Sequence, residues 1–181
     1  MSTAIQTLLH DNVTLLEQGL ELLEGMDEEL YRSPRPEVSL SGAGSHVRHS
    51  IDFYERFLEA LRSDGERLDY DGRQRDERLE KDPTAAGEKI RSIIAELERR
   101  VPAAAGRPLL VKSDARIDDP ADAPWGGSSI ERELQVLSSH TVHHYALIAV
   151  VLRLHGHAVD DEFGVAPSTL RYWKEQRACA R

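Results

Sequence analysis

The stretch HTVHHYALIAVVLRLHGH, His140 to His157, sets three imidazoles at the head of an apolar run. On a helix turning about 100° per residue, His140 and His144 stand about 40° apart and one turn above each other, so both rings reach the same space. His143 is rotated about 100° from His144 and faces a neighbouring helix or the rim. The stretch therefore reads as part of a long helix. It begins after Gly127 with Ser128 or Ser129 as its cap and with Glu131 and Glu133 in its first turns, and it extends to about His155.

Three further helical segments surround it in the sequence. From Thr3 to about Leu23, Ile5, Leu8, Leu9, Val13, Leu16, Leu20 and Leu23 recur at helical spacing. SPRPEVSLSGAG, Ser33 to Gly44, is too rich in Pro and Gly for a helix interior, and Ser45 after it is a capping residue. SHVRHSIDFYERFLEALRSDG then places Val47, Ile51, Tyr54, Leu58 and Leu61 on one flank, a second amphipathic helix that stops near Gly65. A third follows Pro83, from about Thr84 to Arg100, with Ile90, Ile93, Ile94 and Leu97 inward.

The connections are less regular. ERLDYDGRQRDERLEKD is too charged to bury a face throughout and reads as a crossover along the surface. In RPLLVKSDARIDDPADAPWGG, Leu109, Leu110, Val111 and Ile117 suit short extended pieces, but Pro, Asp and Gly close the segment into a long loop or small hairpin. Pro167 to about Ala178 adds a short C-terminal helix, and a tail docked over one end of the bundle would bury Phe163, Val165 and Trp173. Trp125 reads as a lid or packing anchor. The expected fold is all-α: a four-helix bundle with a long crossover and a short C-terminal helix, in a single domain over residues 1–181.

Composition narrows the function. The 181 residues carry 32 acidic against 23 basic side chains, a net charge of -9, and no local basic patch offsets it, so a nucleic-acid partner is not expected. The single cysteine, Cys179, rules out an intrachain disulfide and fits a reducing, cytoplasmic setting. The longest apolar run, Tyr145 to Leu152, is far short of the roughly 20 residues needed to cross a bilayer, and MSTAIQTLLHDN lacks the pattern of an export signal. No membrane partner is expected.

The second helix carries its own pair. His46 and His49, in SHVRH, are three residues apart and share a flank. Neutral imidazoles from two helices make a facial set that leaves coordination positions for water or substrate, suited to Zn, Ni, Fe, Co or Mn. The same histidines also fit hydrogen-bonded interior groups or a wet rim. His10, His155 and His157 have no spacing of note and read as surface residues.

The segments GSHVRHSIDFY and LSSHTVHHYALIA resemble the DinB-like metal-dependent helix-bundle superfamily, which includes thiol-dependent transferases and isomerases that use mycothiol or bacillithiol. The resemblance implies a bundle with a long crossover between its second and third helices. It also implies one divalent metal held by three histidines, two from the fourth helix, matching His140 and His144, and one from the second. The family pattern of His, an apolar residue and then Asp favours His49, with Ile51 and Asp52, over His46. Where the family often continues with an Arg-Gly-Gln type sequence, this chain has Tyr145, Ala146 and Leu147, so any role of that polar segment is absent or replaced.

A metal there lowers the pKa of a bound water or thiol, or polarises a substrate oxygen, and a proton carrier is then needed beside it. The candidates are His143, Tyr145 and whichever of His46 and His49 is not a ligand. Each also fits a packing or supporting role. Arg73 or Arg75 could clamp a carboxylate of a substrate or thiol cofactor with a planar donor fork, though bracing of the crossover by Asp–Arg pairs is the preferred reading. Arg48 carries the same two readings, and Asp52 either orients His49 or forms a surface ion pair. The functional expectation is a metal-dependent enzyme acting on a small molecule, hydrolase-like or thiol S-transferase, with Zn, Ni, Fe or Mn and a low-molecular-weight thiol as cofactors. The alternative is a non-catalytic metal-binding protein that forms homodimers through exposed apolar helix faces.

Overall fold

Apolar stripes at helical spacing become the long helices of a computed structural model that describes residues 3–62, 66–72, 75–112 and 123–179. These are α1 (Thr3–Leu23), α3 (Ala43–Arg62), α5 (Pro83–Arg100) and α6 (Ile130–Leu154). Short helices α2 (Glu28–Arg32) and α4 (Arg78–Lys81) and the tail helix α7 (Pro167–Cys179) complete the helical part. The fold is mostly helical. Both α1 and α3 pack against both α5 and α6, and their inward faces bury Leu16, Ile51, Tyr54, Phe57, Leu58, Ile90, Leu97, Leu134, Leu137 and Ile148.

Helix starts follow capping chemistry where a cap is present. Asp82 accepts from the Ala85 amide ahead of α5, with Pro83 at the first position, and Ser129 accepts from the Arg132 amide ahead of α6. Helix α3 starts two residues before the expected cap, Ser45. Ala43 and Gly44 are buried in its first turn, where the chain needs small residues: a Cβ on Gly44 would stand 2.2 Å from the Glu80 carbonyl oxygen of α4. That glycine marks a close approach of two helices, where sequence reading expects a loop.

The structure adds a small sheet to the helical architecture. Strands β1 (Arg67–Asp69), β2 (Pro108–Lys112) and β3 (Gly126–Ser129) form a small sheet in that order. β1 runs parallel to β2 with Arg67 opposite Leu110, and β2 pairs antiparallel with β3. The charged crossover thus dips into the core, burying Leu68, Tyr70 and Leu79 among its exposed charges. Ile117 and Arg73 lie outside the described residues.

The tail docks through one aromatic. Phe163 is buried against Tyr145 with ring centroids 4.7 Å apart, while Val165 is half-buried and Trp173 is exposed on α7. Trp125 is likewise exposed, with the Arg67 guanidinium 5.2 Å from its ring centroid. Among the described residues no helix is long and apolar enough to cross a membrane.

Candidate metal centre

Helices α3 and α6 pack side by side and bring their histidine pairs face to face. The Nε2 atom of His140 lies 3.2 Å from Nε2 of His49 and 3.2 Å from Nε2 of His144. The three rings offer nitrogens that all lie within 4.8 Å of one another, and each residue is half-buried.

The spacing fits a metal ion. Two nitrogens each about 2.1 Å from one ion stand about 3.0 Å apart at a right angle and about 3.4 Å apart at the tetrahedral angle. Both observed contacts fall inside that interval. An imidazole nitrogen has a single in-plane site, a proton or a lone pair, so two ring neighbours crowd His140 Nε2 beyond one well-formed hydrogen bond. A shared cation takes lone pairs from all three.

Protonation agrees with a ligand role. Burial, followed by the neighbouring His140, His49, His46 and His143, pushes the His144 pKa down from 6.5 to about 3. Burial, then His143, also lowers His46. Neutral rings are the form that binds a metal.

The other candidates fall in different places. His46 faces the far side of His144, its Nδ1 lying 3.1 Å from His144 Nδ1. His143 is exposed at the rim, with its ring centroid 5.1 Å from that of His144. Tyr145 is buried away from the imidazoles, stacked on Phe163, with its hydroxyl close against Gly19 of α1. Its hydroxyl is held protonated by burial. Arg48 is buried and engaged by Asp52 and Glu80, so Asp52, for which the sequence left orienting His49 or a surface ion pair open, forms an interior ion pair. Arg75 is exposed.

Sequence reading missed the wall behind His140. Phe53 stacks on His140 at 3.9 Å between centroids and also on Tyr70 at 4.7 Å, and the Tyr70 hydroxyl donates to buried Glu133 at 2.8 Å. Phe53 was within reach of helical spacing, four residues after His49 on the same flank. Tyr70 arrives from the crossover and had no local signal.

The folded chain is thus a helical protein with a cluster of three imidazoles that could hold a metal ion. The sequence pattern of the DinB superfamily matches residues 15–148, which hold all three of those histidines, and the chain belongs to that superfamily. FK506-binding protein 5 of Rhizopus delemar is 36% identical over 109 residues, 60% of this chain. The chain spans only 28% of the length of that curated relative. No solved structure matches it.

Proposed function

We propose that this chain is a single-domain four-helix bundle of the DinB type in which His49, His140 and His144 hold one divalent transition metal, Zn, Ni, Fe or Mn, and that the site serves a hydrolase-like or thiol S-transferase reaction on a small molecule. The observation that carries this reading is the convergence of three Nε2 atoms from two helices. Three protein ligands leave a position for a further one, as catalytic sites do, where structural sites close with a fourth. When bound, the metal would supply Lewis acidity toward a water, thiol or substrate oxygen.

The chain's own groups supply the rest. Phe53 packs flat on His140 and limits the rotation of that ring. His143, exposed beside His144, is the group placed to exchange protons with solvent at the rim. Arg48, committed to Asp52 and Glu80, secures α3 against α4 and leaves thiol or carboxylate recognition to other residues.

A test starts from untagged protein. Elemental analysis should find near one equivalent of Zn, Ni, Fe or Mn, and His140→Ala and His144→Ala should each remove most of it. Full retention by both variants would end the metal-site reading. Metal-loaded protein screened with low-molecular-weight thiols paired with electrophiles, and with simple esters and amides, then reads the reaction class.

A non-catalytic, homodimeric reading has one observation in its favour. Val150 and Leu154 of α6, with Val38 and Leu40 of the loop before α3, are exposed apolar side chains. Sedimentation of the metal-loaded protein, with and without Leu154→Glu, measures whether that face joins two copies.

A further inference from the structure

His144 uses both of its nitrogens, and the second one leads out of the site. Its Nε2 faces His140, while its Nδ1 lies 3.1 Å from Nδ1 of His46. The opposite edge of the His46 ring, Nε2, lies 3.2 Å from the Ser39 hydroxyl, which also accepts from the Ser41 amide at 3.1 Å. Ser39 sits on the α2–α3 loop. That loop is pinned at its other end to the C-terminus of α6, where Arg35 donates to the Leu154 carbonyl at 2.7 Å and His155 Nε2 lies 3.3 Å from the Ser33 carbonyl oxygen.

With His144 Nε2 left free of a proton, one assignment gives every contact of this chain a donor and an acceptor. A lone pair at His144 Nε2 requires the ring proton to sit on Nδ1, from which it donates to His46 Nδ1. His46 then carries its own proton on Nε2 and donates it to Ser39 Oγ, whose second lone pair takes the Ser41 amide. The reverse order would direct a proton from His144 Nε2 at His140 Nε2, inside the cluster.

We infer that His46 is a positioning residue that, backed by Ser39, fixes the tautomer and ring angle of His144, so that the α2–α3 loop sets the strength of the metal centre without contributing a ligand. The inference rests on the metal-site reading and deepens it. Metal-binding imidazoles ordinarily donate their other N–H to a supporting acceptor, usually a carboxylate, carbonyl or water, and loss of that partner weakens binding roughly 10–100-fold. Here a second imidazole takes that place.

The experiment measures Co(II) affinity by competition with a chromophoric chelator, together with the Co(II) visible spectrum and the His144 tautomer from long-range nitrogen–proton NMR of the Zn-loaded protein. His46→Ala should still bind one equivalent, but roughly 10–100-fold more weakly, with a shifted spectrum. His46→Asn, whose amide can accept where Nδ1 did, should restore most of the affinity, and Ser39→Ala should show a smaller loss than His46→Ala. Circular dichroism confirms that each variant is folded. Two results overturn the inference: His46→Ala losing metal as completely as His140→Ala, which would make His46 a ligand, or His46→Ala matching wild type in affinity and spectrum. Failure of the metal-site reading looks different, since wild type would then bind no better than His140→Ala.

Discussion

His144 carries a strong electrostatic constraint. Its pKa, lowered from 6.5 to about 3 by burial first and by four neighbouring imidazoles second, makes the metal-free fold sensitive to acid. The unfolded chain takes up a proton at this residue near pH 6.5, whereas the folded chain resists it until about pH 3. Between those values the unfolded state binds more protons, so stability rises with pH. The cost from His144 is absent above 6.5 and grows progressively as pH falls toward 3. Urea midpoints of chelated wild type at pH 8, 6 and 4.5 should fall in that order, and His144→Gln should flatten the descent. Parallel pH slopes for the two proteins would show that His144 titrates as it does in the unfolded chain. Another buried polar group had no sequence signal at all. Asn12 of α1 accepts from the Tyr54 hydroxyl at 2.8 Å and donates to the Leu134 carbonyl at 3.0 Å, joining α1, α3 and α6 beneath the site.

At the scale of elements, the long helices were legible because each repeats its apolar residues every three or four positions, as Val47, Ile51, Tyr54, Leu58 and Leu61 do on α3. The sheet was not. β1 has three residues and a single buried side chain, Leu68, and its partner β2 lies some forty residues further on, so no local pattern announces the pair. The choice between His46 and His49 was hidden for a related reason. Residues three apart share a flank, and only the seating of α6 decides that His49 meets Nε2 of His140 while His46 meets Nδ1 of His144. Gly44 lies in the first turn of the helix that carries His46 and His49, and its contrast with a second glycine is informative. A Cβ at Gly44 would stand 2.2 Å from backbone oxygen and 2.7 Å from the Tyr31 ring, whereas one at Gly87 of α5 would meet only flexible side chains at 3.7 Å and beyond. Gly44→Ala should therefore cost about 1–3 kcal/mol through forced displacement, and it should weaken metal binding by shifting His46 and His49. Gly87→Ala should be neutral or stabilising by up to about 1 kcal/mol. Chemical denaturation of both variants, read beside their metal content, checks the contrast; equal effects would mean that α4 yields freely.

For the molecule as a whole, the site ties together helices that are far apart in sequence. His49 belongs to α3 and the other two proposed ligands to α6, so in the unfolded chain roughly ninety residues separate the first of these histidines from the second. On the proposed metal site, the binding form exists only when α3 and α6 are packed, and binding energy would become folding energy. At free metal 100 times the dissociation constant the linkage is worth about 2.7 kcal/mol, and it grows by about 1.4 kcal/mol for each further tenfold. Thermal melts of chelated protein titrated with Zn(II) should therefore show a midpoint that climbs with the logarithm of free metal. The same titration of His140→Ala should be flat, because the remaining imidazoles on the two helices no longer converge on one ion. His46→Ala should climb with the wild-type slope from a higher threshold concentration, since a supporting residue changes the dissociation constant and leaves the stoichiometry alone. A midpoint insensitive to metal in wild type would mean that the three rings pack α3 against α6 as neutral side chains, and the cluster would then be structural.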